Sequence, residues 1–263
     1  VATVYRIRPI LRRRAAIEDA AVRAQLRILR AARRDILAAM VDAGAFDRWR
    51  LQQLLGAIDR VIAQARGFGE TAAAASTEQA FALGASVLPG SLVGMSRELA
   101  QAIVTVTTDQ VRDVWGELGS NLKRLVRRAA LGVTDPFKAM QQLARLIRDP
   151  KTFGRAFWRA ESIIRTEVGR AFSIASQDSL EQAAARGGKS GITIRKYWLT
   201  AHDERVRETH RQAGIDYAIG KAIAADAFFV VGGERLKEPL DPNGSAGETI
   251  NCRCVSVPVV ILD

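Results

Sequence analysis

The sequence predicts an α+β protein, with a mainly helical N-terminal part followed by a small α+β C-terminal domain. Three observations predict it. Residues 1–190 are rich in Ala, Leu, Arg and Gln, all good helix formers, with apolar residues recurring at three and four. Beyond Gly191, β-branched and aromatic runs alternate with turn-rich stretches. The charge changes along with the pattern: residues 1–70 carry 14 basic and 7 acidic side chains, and residues 191–263 carry 9 and 10. The expected division is a basic helical region over 1–153 and an α+β domain over 154–263.

In chain order, residues 17–40 form one amphipathic pattern, with Val22, Leu26, Leu29, Ile36, Leu37 and Met40 near helical spacing, and Gly44 is expected to end it. Residues 47–66 read as a second helix carrying Leu51, Leu54, Leu55, Ile58 and Ile62, closed by Gly67-Phe68-Gly69. The Ala-rich stretch 71–87 reads as a third, broken by Pro89-Gly90. Two more follow over 96–118 and 121–131. Thr134-Asp135-Pro136 places a cap and a first-turn proline before a helix running to Ile147. Residues 153–185 form a long amphipathic helix, stopped by Gly187-Gly188. Residues 192–199 are a strand, Asp203 caps a short helix through Gln212, 227–231 is a second strand, 238–248 a turn-rich loop and 252–260 a β-rich end.

Composition narrows the function classes. The chain has 263 residues, 48% hydrophobic and 25% charged, enough for a core without disulfide staples. No apolar run of membrane-spanning length occurs. Two cysteines, Cys252 and Cys254, exclude a disulfide framework and point to a reducing origin. A start at Val1, with neither Met nor a signal-peptide apolar segment, reads as a fragment or a processed product. The net charge is +11, with 39 basic side chains of which seven are Lys. Part of the Arg excess fits a high-GC genome; the net charge itself points to an anionic partner, nucleic acid before membrane. The candidate contacts are Arg12, Arg13, Arg14, Arg23, Arg27, Arg30, Arg33 and Arg34, expected to bind double-stranded DNA without sequence preference.

Several motifs fail on inspection. Gly187-Gly188-Lys189-Ser190 lacks the first glycine of a phosphate-binding loop, where Ala183 stands, and it follows a helix. His202-Asp203 lacks the further ligands of a metal phosphohydrolase in a chain with two His, and no Gly-x-Ser-x-Gly elbow occurs. The C-terminal constellation is more specific. Extended residues 252–254 would turn both thiols to one face, and His210 lies two helical turns after Asp203. Asp203, His210, Cys252 and Cys254 could converge as a zinc site, or the cysteines could pack as small hydrophobes in a dry cluster. Packing is preferred and no metal is assigned, because the second arm of the site rests on one His and one Asp. No Cys252–Cys254 bond is expected, since i and i+2 in a strand are too far apart. Trp198 should be buried, Arg205 or Arg207 paired with Glu167 or Glu248, and Arg253 turned toward Asp241 or Glu248.

The order Trp198 … Asp203-x-Arg205-Val206-Arg207-x-x-His210 … Phe228 … Glu248 … Asn251-Cys252-Arg253-Cys254 resembles the phage Mu F-like minor head protein family, also called phage head morphogenesis proteins. Arg165-Thr166-Glu167-x-x-Arg170-Ala171 resembles the helix entry of that domain, and the likeness spans roughly 155–258. The stretch after His210, Gln212-Ala213-Gly214-Ile215-Asp216, fits the family's turn only loosely. The resemblance implies a bacteriophage minor capsid protein of the virion, non-enzymatic, acting in head morphogenesis and capsid assembly. It implies a place inside the capsid near the portal after assembly in the host cytoplasm, several copies per virion, and the portal or major capsid protein and packaged DNA as partners, with no membrane. Trp198, Asp203, Arg205, Arg207, His210, Asn251, Cys252, Arg253 and Cys254 are then structural motif residues, and no cofactor is expected. The alternative is a nucleic-acid-directed nuclease or transferase using Asp203, His210 and Glu248.

Overall fold

The computed structural model describes residues 2–4, 7–42, 48–88, 96–187 and 191–262. The expected breaks at Gly44 and Pro89-Gly90, the helix start at Asp47, and Gly188-Lys189-Ser190 lie outside them. The observed class is the expected one: long helices first, then a small sheet region. Strand β1 is Ala2–Val4, followed by helices α1 (Arg8–Asp42), α2 (Arg48–Ala85), α3 (Arg97–Ala130), α4 (Pro136–Arg148) and α5 (Pro150–Gly187). Then come β2 (Ile192–Leu199), α6 (Glu208–Asp216), β3 (Ile223–Ala224), β4 (Phe229–Val231), β5 (Glu234–Leu236), the single turn α7 (Ala246–Thr249) and β6 (Val255–Leu262). No helix is long and apolar enough to cross a membrane among the described residues.

The helices are fewer and longer than the glycines suggest. The expected stop at Gly67-Phe68-Gly69 is absent, and α2 runs through it. A Cβ on Gly69 would lie 2.8 Å from Trp115 Nε1 and 3.1 Å from Gln25 Oε1, and Gln25 Nε2 donates to the Gly69 carbonyl at 2.7 Å. Gly69 is thus a notch that lets α1 and α3 approach α2. Gly119, inside the expected gap between two helices, does the same for Ile62, 3.1 Å from where its Cβ would be, and α3 is continuous. At α4, where the helix signal came from a cap and a first-turn proline, the boundary is accurate: Asp135 accepts from Lys138 N at 2.9 Å, with Pro136 in the first turn.

The chain divides into two compact units. One consists of Ala20–Ala74 and Thr105–Ile163 and is all helical. Its core holds Leu29 and Ile36 of α1, Leu51, Leu54 and Ile58 of α2, Trp115 and Leu122 of α3, and Leu143 and Ile147 of α4. The other consists of Val1–Asp19, Ala75–Val104 and Ile164–Asp263 and carries the sheet. The sheet order is β1-β6-β2-β3, antiparallel throughout. β2 and β6 pair over eight residues, from Ile192↔Leu262 to Leu199↔Val255. That register turns Ile194, Lys196 and Trp198 inward. β4 and β5 form a separate hairpin through Gly232 and Gly233, at φ +59° and +83°, the left-handed pair that a two-residue turn between twisted strands needs.

Two helical glycines, one in each unit, make opposite predictions. A Cβ on Gly84 would overlap the Phe172 carbonyl and touch Ala175 Cβ at 3.0 Å, whereas Gly116 faces open space. Gly84→Ala should lower stability by about 1–3 kcal/mol, and Gly116→Ala, in an exposed helix interior, should raise it by about 0.5–1 kcal/mol. Urea unfolding of the two variants checks both signs.

Candidate functional site

His210 enters the sheet-bearing unit on α6, whose first turn begins at Glu208 after an extended Arg207. The ring is 1% exposed and stands edge-on to Trp198, with centroids 5.5 Å apart and planes at 89°. Trp198 in turn meets Phe229 edge-on at 5.1 Å, and Phe229 meets Tyr217 the same way. This aromatic stack fixes the ring plane of His210. Cys252 and Cys254 approach from the other side, just before β6. Both are free and buried, while Arg253 between them is exposed. His210 Nδ1 lies 3.5 Å from Cys252 Sγ and 3.4 Å from Cys254 Sγ.

Glu248, on α7, takes the other ring nitrogen: His210 Nε2 is 2.8 Å from Glu248 Oε2, which also accepts from Thr209 Oγ1 at 2.9 Å. The hairpin turn leans on this carboxylate, since a Cβ on Gly232 would come within 2.5 Å of Glu248 Oε1. Asn251, at φ +58°, turns the chain from α7 toward the cysteines, and its N–H donates to Thr166 Oγ1 at 3.0 Å. Arg14 closes the back of the site. It is 4% exposed, donates to the Cys254 carbonyl at 3.3 Å, pairs with Glu18 at 2.7 Å and lies over the Phe172 ring.

The hydrogen bond from Cys254 pulls the Cys252 thiol well below its ordinary value, against burial and helped by His210. Cys254 is pushed up by Cys252 and by burial. Burial pulls His210 down, but Cys252 and Glu248 outweigh it and the net shift is upward. These directions favour one thiolate, on Cys252, beside a charged imidazole.

Several expected residues lie elsewhere. Asp203 does not reach the cysteines. It precedes α6 instead of capping it, accepts from Arg205 N at 3.0 Å, and is held by both Arg253 guanidinium nitrogens at 2.5 and 2.6 Å. The zinc set with Asp203, and the trio Asp203, His210 and Glu248, thus lose their first member. Arg253 faces Asp203, away from Asp241 and Glu248. Arg207 donates to the Ile250 carbonyl, Glu167 is paired with Arg170 at 2.6 Å, and Arg205 is exposed. Trp198 is buried, 1% exposed. Of the arginines named for DNA, Arg12, Arg13, Arg23, Arg27, Arg30 and Arg34 are exposed and Arg33 is half-buried. Arg14 is withdrawn from that set because it is packed under Cys254. Its signal was present: 14, 18, 21, 25, 29, 32 and 36 share one helical stripe, and all seven are buried.

Beside the aromatic stack lies an open cleft of about 720 Å³, lined by Tyr197, Trp198, His202, Glu204, Arg211 and Ile215 among others. Lys196 Nζ lies over the Phe229 ring, 5.1 Å from its centroid, fully buried, donating to Gln177 Oε1 at 3.1 Å and the Lys237 carbonyl at 2.7 Å. The sequence gives no hint of an inward lysine in an otherwise apolar alternation.

No protein-family model matches the chain, and no solved structure matches it. A curated protein of Enterococcus faecalis (strain ATCC 700802 / V583), NAD(+)–arginine ADP-ribosyltransferase EFV, is 33% identical over 123 residues. The match covers 47% of this chain and 23% of that relative, so the chain spans less than a quarter of the relative's length. The relative is named as an enzyme acting with NAD+ on arginine. This overturns the expectation of a non-enzymatic phage minor capsid protein of the virion, and with it head morphogenesis, capsid assembly, portal association and contact with packaged DNA. The alternative reading, a nuclease or transferase, agrees with that name in being an enzyme, and the name carries nothing about nucleic acid.

Buried charge beneath the site sets a pH dependence. Burial, and then Asp241, raise Glu238 from 4.5 to about 8; burial lowers Lys196 from 10.5 to about 8, against Glu238 and Glu181. Between pH 4.5 and 8 the folded chain holds a proton on Glu238 that the unfolded chain has lost, so stability from this group falls as pH rises through that window. Between pH 8 and 10.5 the unfolded chain holds the extra proton on Lys196, and stability recovers. Urea midpoints of the wild type should decline from pH 5 to 8, and Glu238→Gln should flatten that decline.

Proposed function

We propose that the chain serves NAD+-dependent ADP-ribosyl transfer to arginine, in a protein of the kind its Enterococcus faecalis relative is named for. The observation that carries this reading is the 33% identity over 123 residues. The open cleft supports it. Its volume, about 720 Å³, falls in the range that nucleotide-sized ligands fill. Tyr197, Trp198, Ile215 and Ile219 offer apolar walls for a base, and Arg211 lines the same space as a guanidinium for phosphate. In the reaction the bond between nicotinamide and ribose breaks and nicotinamide leaves with its electron pair. A guanidine nitrogen bonds to the ribose carbon and gives up a proton. Glu204 lines the cleft and its side chain makes no hydrogen bond among the described residues, so it is assigned as the acceptor of that proton. The likeness of residues 155–258 to the Mu F-like family is kept as a proposal about one folded module, without a capsid role.

The test is transfer of label from adenine-labelled NAD+ to an arginine-rich peptide, with nicotinamide release measured in parallel. Glu204→Gln should lower kcat by about 10²–10⁴-fold, and Arg211→Ala should raise KM. A folded chain that neither binds NAD+ by calorimetry nor labels the peptide would overturn the reading.

A further inference from the structure

We propose that His210 Nδ1, Cys252 Sγ and Cys254 Sγ bind a divalent zinc-class cation, with Glu248 orienting the imidazole and a non-protein donor in the fourth position. The three ligand atoms lie within 4.8 Å of one another, and all three residues are buried. In a tetrahedron with Zn–S of about 2.3 Å and Zn–N of about 2.05 Å, the sulfur-to-nitrogen edge is about 3.6 Å. The two observed edges are 3.5 and 3.4 Å. The donors already stand at coordination spacing, so a cation needs only small shifts to seat.

The orientation of the donors favours a cation over dry packing. Glu248 Oε2 holds His210 Nε2 at 2.8 Å, which leaves Nδ1 as the ring nitrogen that faces both sulfurs. A divalent cation satisfies Nδ1 and both sulfurs at once, and the two protons leave to solvent as the thiolates form. The surroundings bring donors to the site. Trp198 Nε1 is a buried donor without a hydrogen-bond partner among the described residues, and the Arg14 guanidinium donates to the Cys254 carbonyl. Two thiolates and one imidazole are the donor set of zinc, and the hard oxygen ligands that calcium or magnesium requires are absent from it.

The chemistry also separates this site from the cleft. Asp203 is committed to Arg253 at the surface, so it is no ligand. The cation would tie α6 to the entry of β6, holding the wall on which Trp198 stands, without touching a substrate.

The test uses the full chain and two metals, Co²⁺ as spectroscopic probe and Zn²⁺ as competitor. The reduced wild type should take up one Co²⁺ per chain with thiolate-to-metal absorption, Zn²⁺ should displace it, and Tm should rise with either metal. Glu248→Gln should weaken metal binding about 10–100-fold, while Asp203→Ala should leave the stoichiometry at one. Cys252→Ser with Cys254→Ser should abolish the absorption. Should that double variant not fold, alkylation of the wild type supplies the second reading: Zn²⁺ should protect both thiols from iodoacetamide. Absence of Co²⁺ uptake by the folded wild type, or a Zn²⁺-bound chain whose thiols alkylate as fast as in the metal-free chain, would overturn the proposal. None of these readouts depends on NAD+, so failure here leaves the transferase reading standing, and the reverse.

Discussion

The pairing of β2 with β6 is the constraint on which the site depends. Eight antiparallel pairs fix which side chains of each strand meet the core. The register sets Trp198 opposite Ser256 and Lys196 opposite Pro258, so the residues leading into β6, Cys252 and Cys254, arrive beside the indole. A slip of one residue would turn Ile194, Lys196 and Trp198 to solvent and empty the centre of the cluster with Phe229, Leu236 and Leu240. Everything that orients His210 is downstream of that alignment: the indole edge against the ring, the sulfurs on its Nδ1 side, and α7 delivering Glu248 to its Nε2 side.

The same register carries an unfavourable element. Lys196 occupies an inward position that apolar alternation would fill with a hydrophobe, and the fold surrounds it with Gln177, the Lys237 carbonyl, the Phe229 face and Glu238. Burying a charge costs more than one pair returns, so these contacts reduce a penalty and add little net stability. Their effect is on specificity: a lysine that finds this set of acceptors in one register alone disfavours the others.

Much of the architecture was legible in the sequence, for identifiable reasons. The β2 boundaries could be read because Ile192 to Leu199 are β-branched and aromatic after Gly191, and α4 because a capping Asp135 and Pro136 are local signals. The helix breaks misled because a glycine in a helical pattern has two readings. Gly69 and Gly119 serve close approach to Trp115, Gln25 and Ile62, a tertiary fact that no window of sequence contains. β1 went unseen because three residues carry no period. In the site, the meeting of His210 with Cys252 and Cys254 follows from face arithmetic, whereas Asp203 was placed by assuming that its helix began four residues early. Its real partner, Arg253, is fifty residues away in sequence. Arg14 misled because an arginine-rich helix looks uniformly solvated until its buried stripe is followed backward.

The pairing of β1 with β6 has a mechanical side. Ala2 sits opposite Ile261 and Val4 opposite Val259, so the two extremities of the paired segment leave the sheet at the same edge. Tension applied through Ala2 and Leu262 would load these pairs in sequence, a zipper geometry that yields at low force, instead of shearing them together. Peeling β1 would bare one edge of β6 while the eight-pair ladder to β2 and the buried imidazole behind it stay in place.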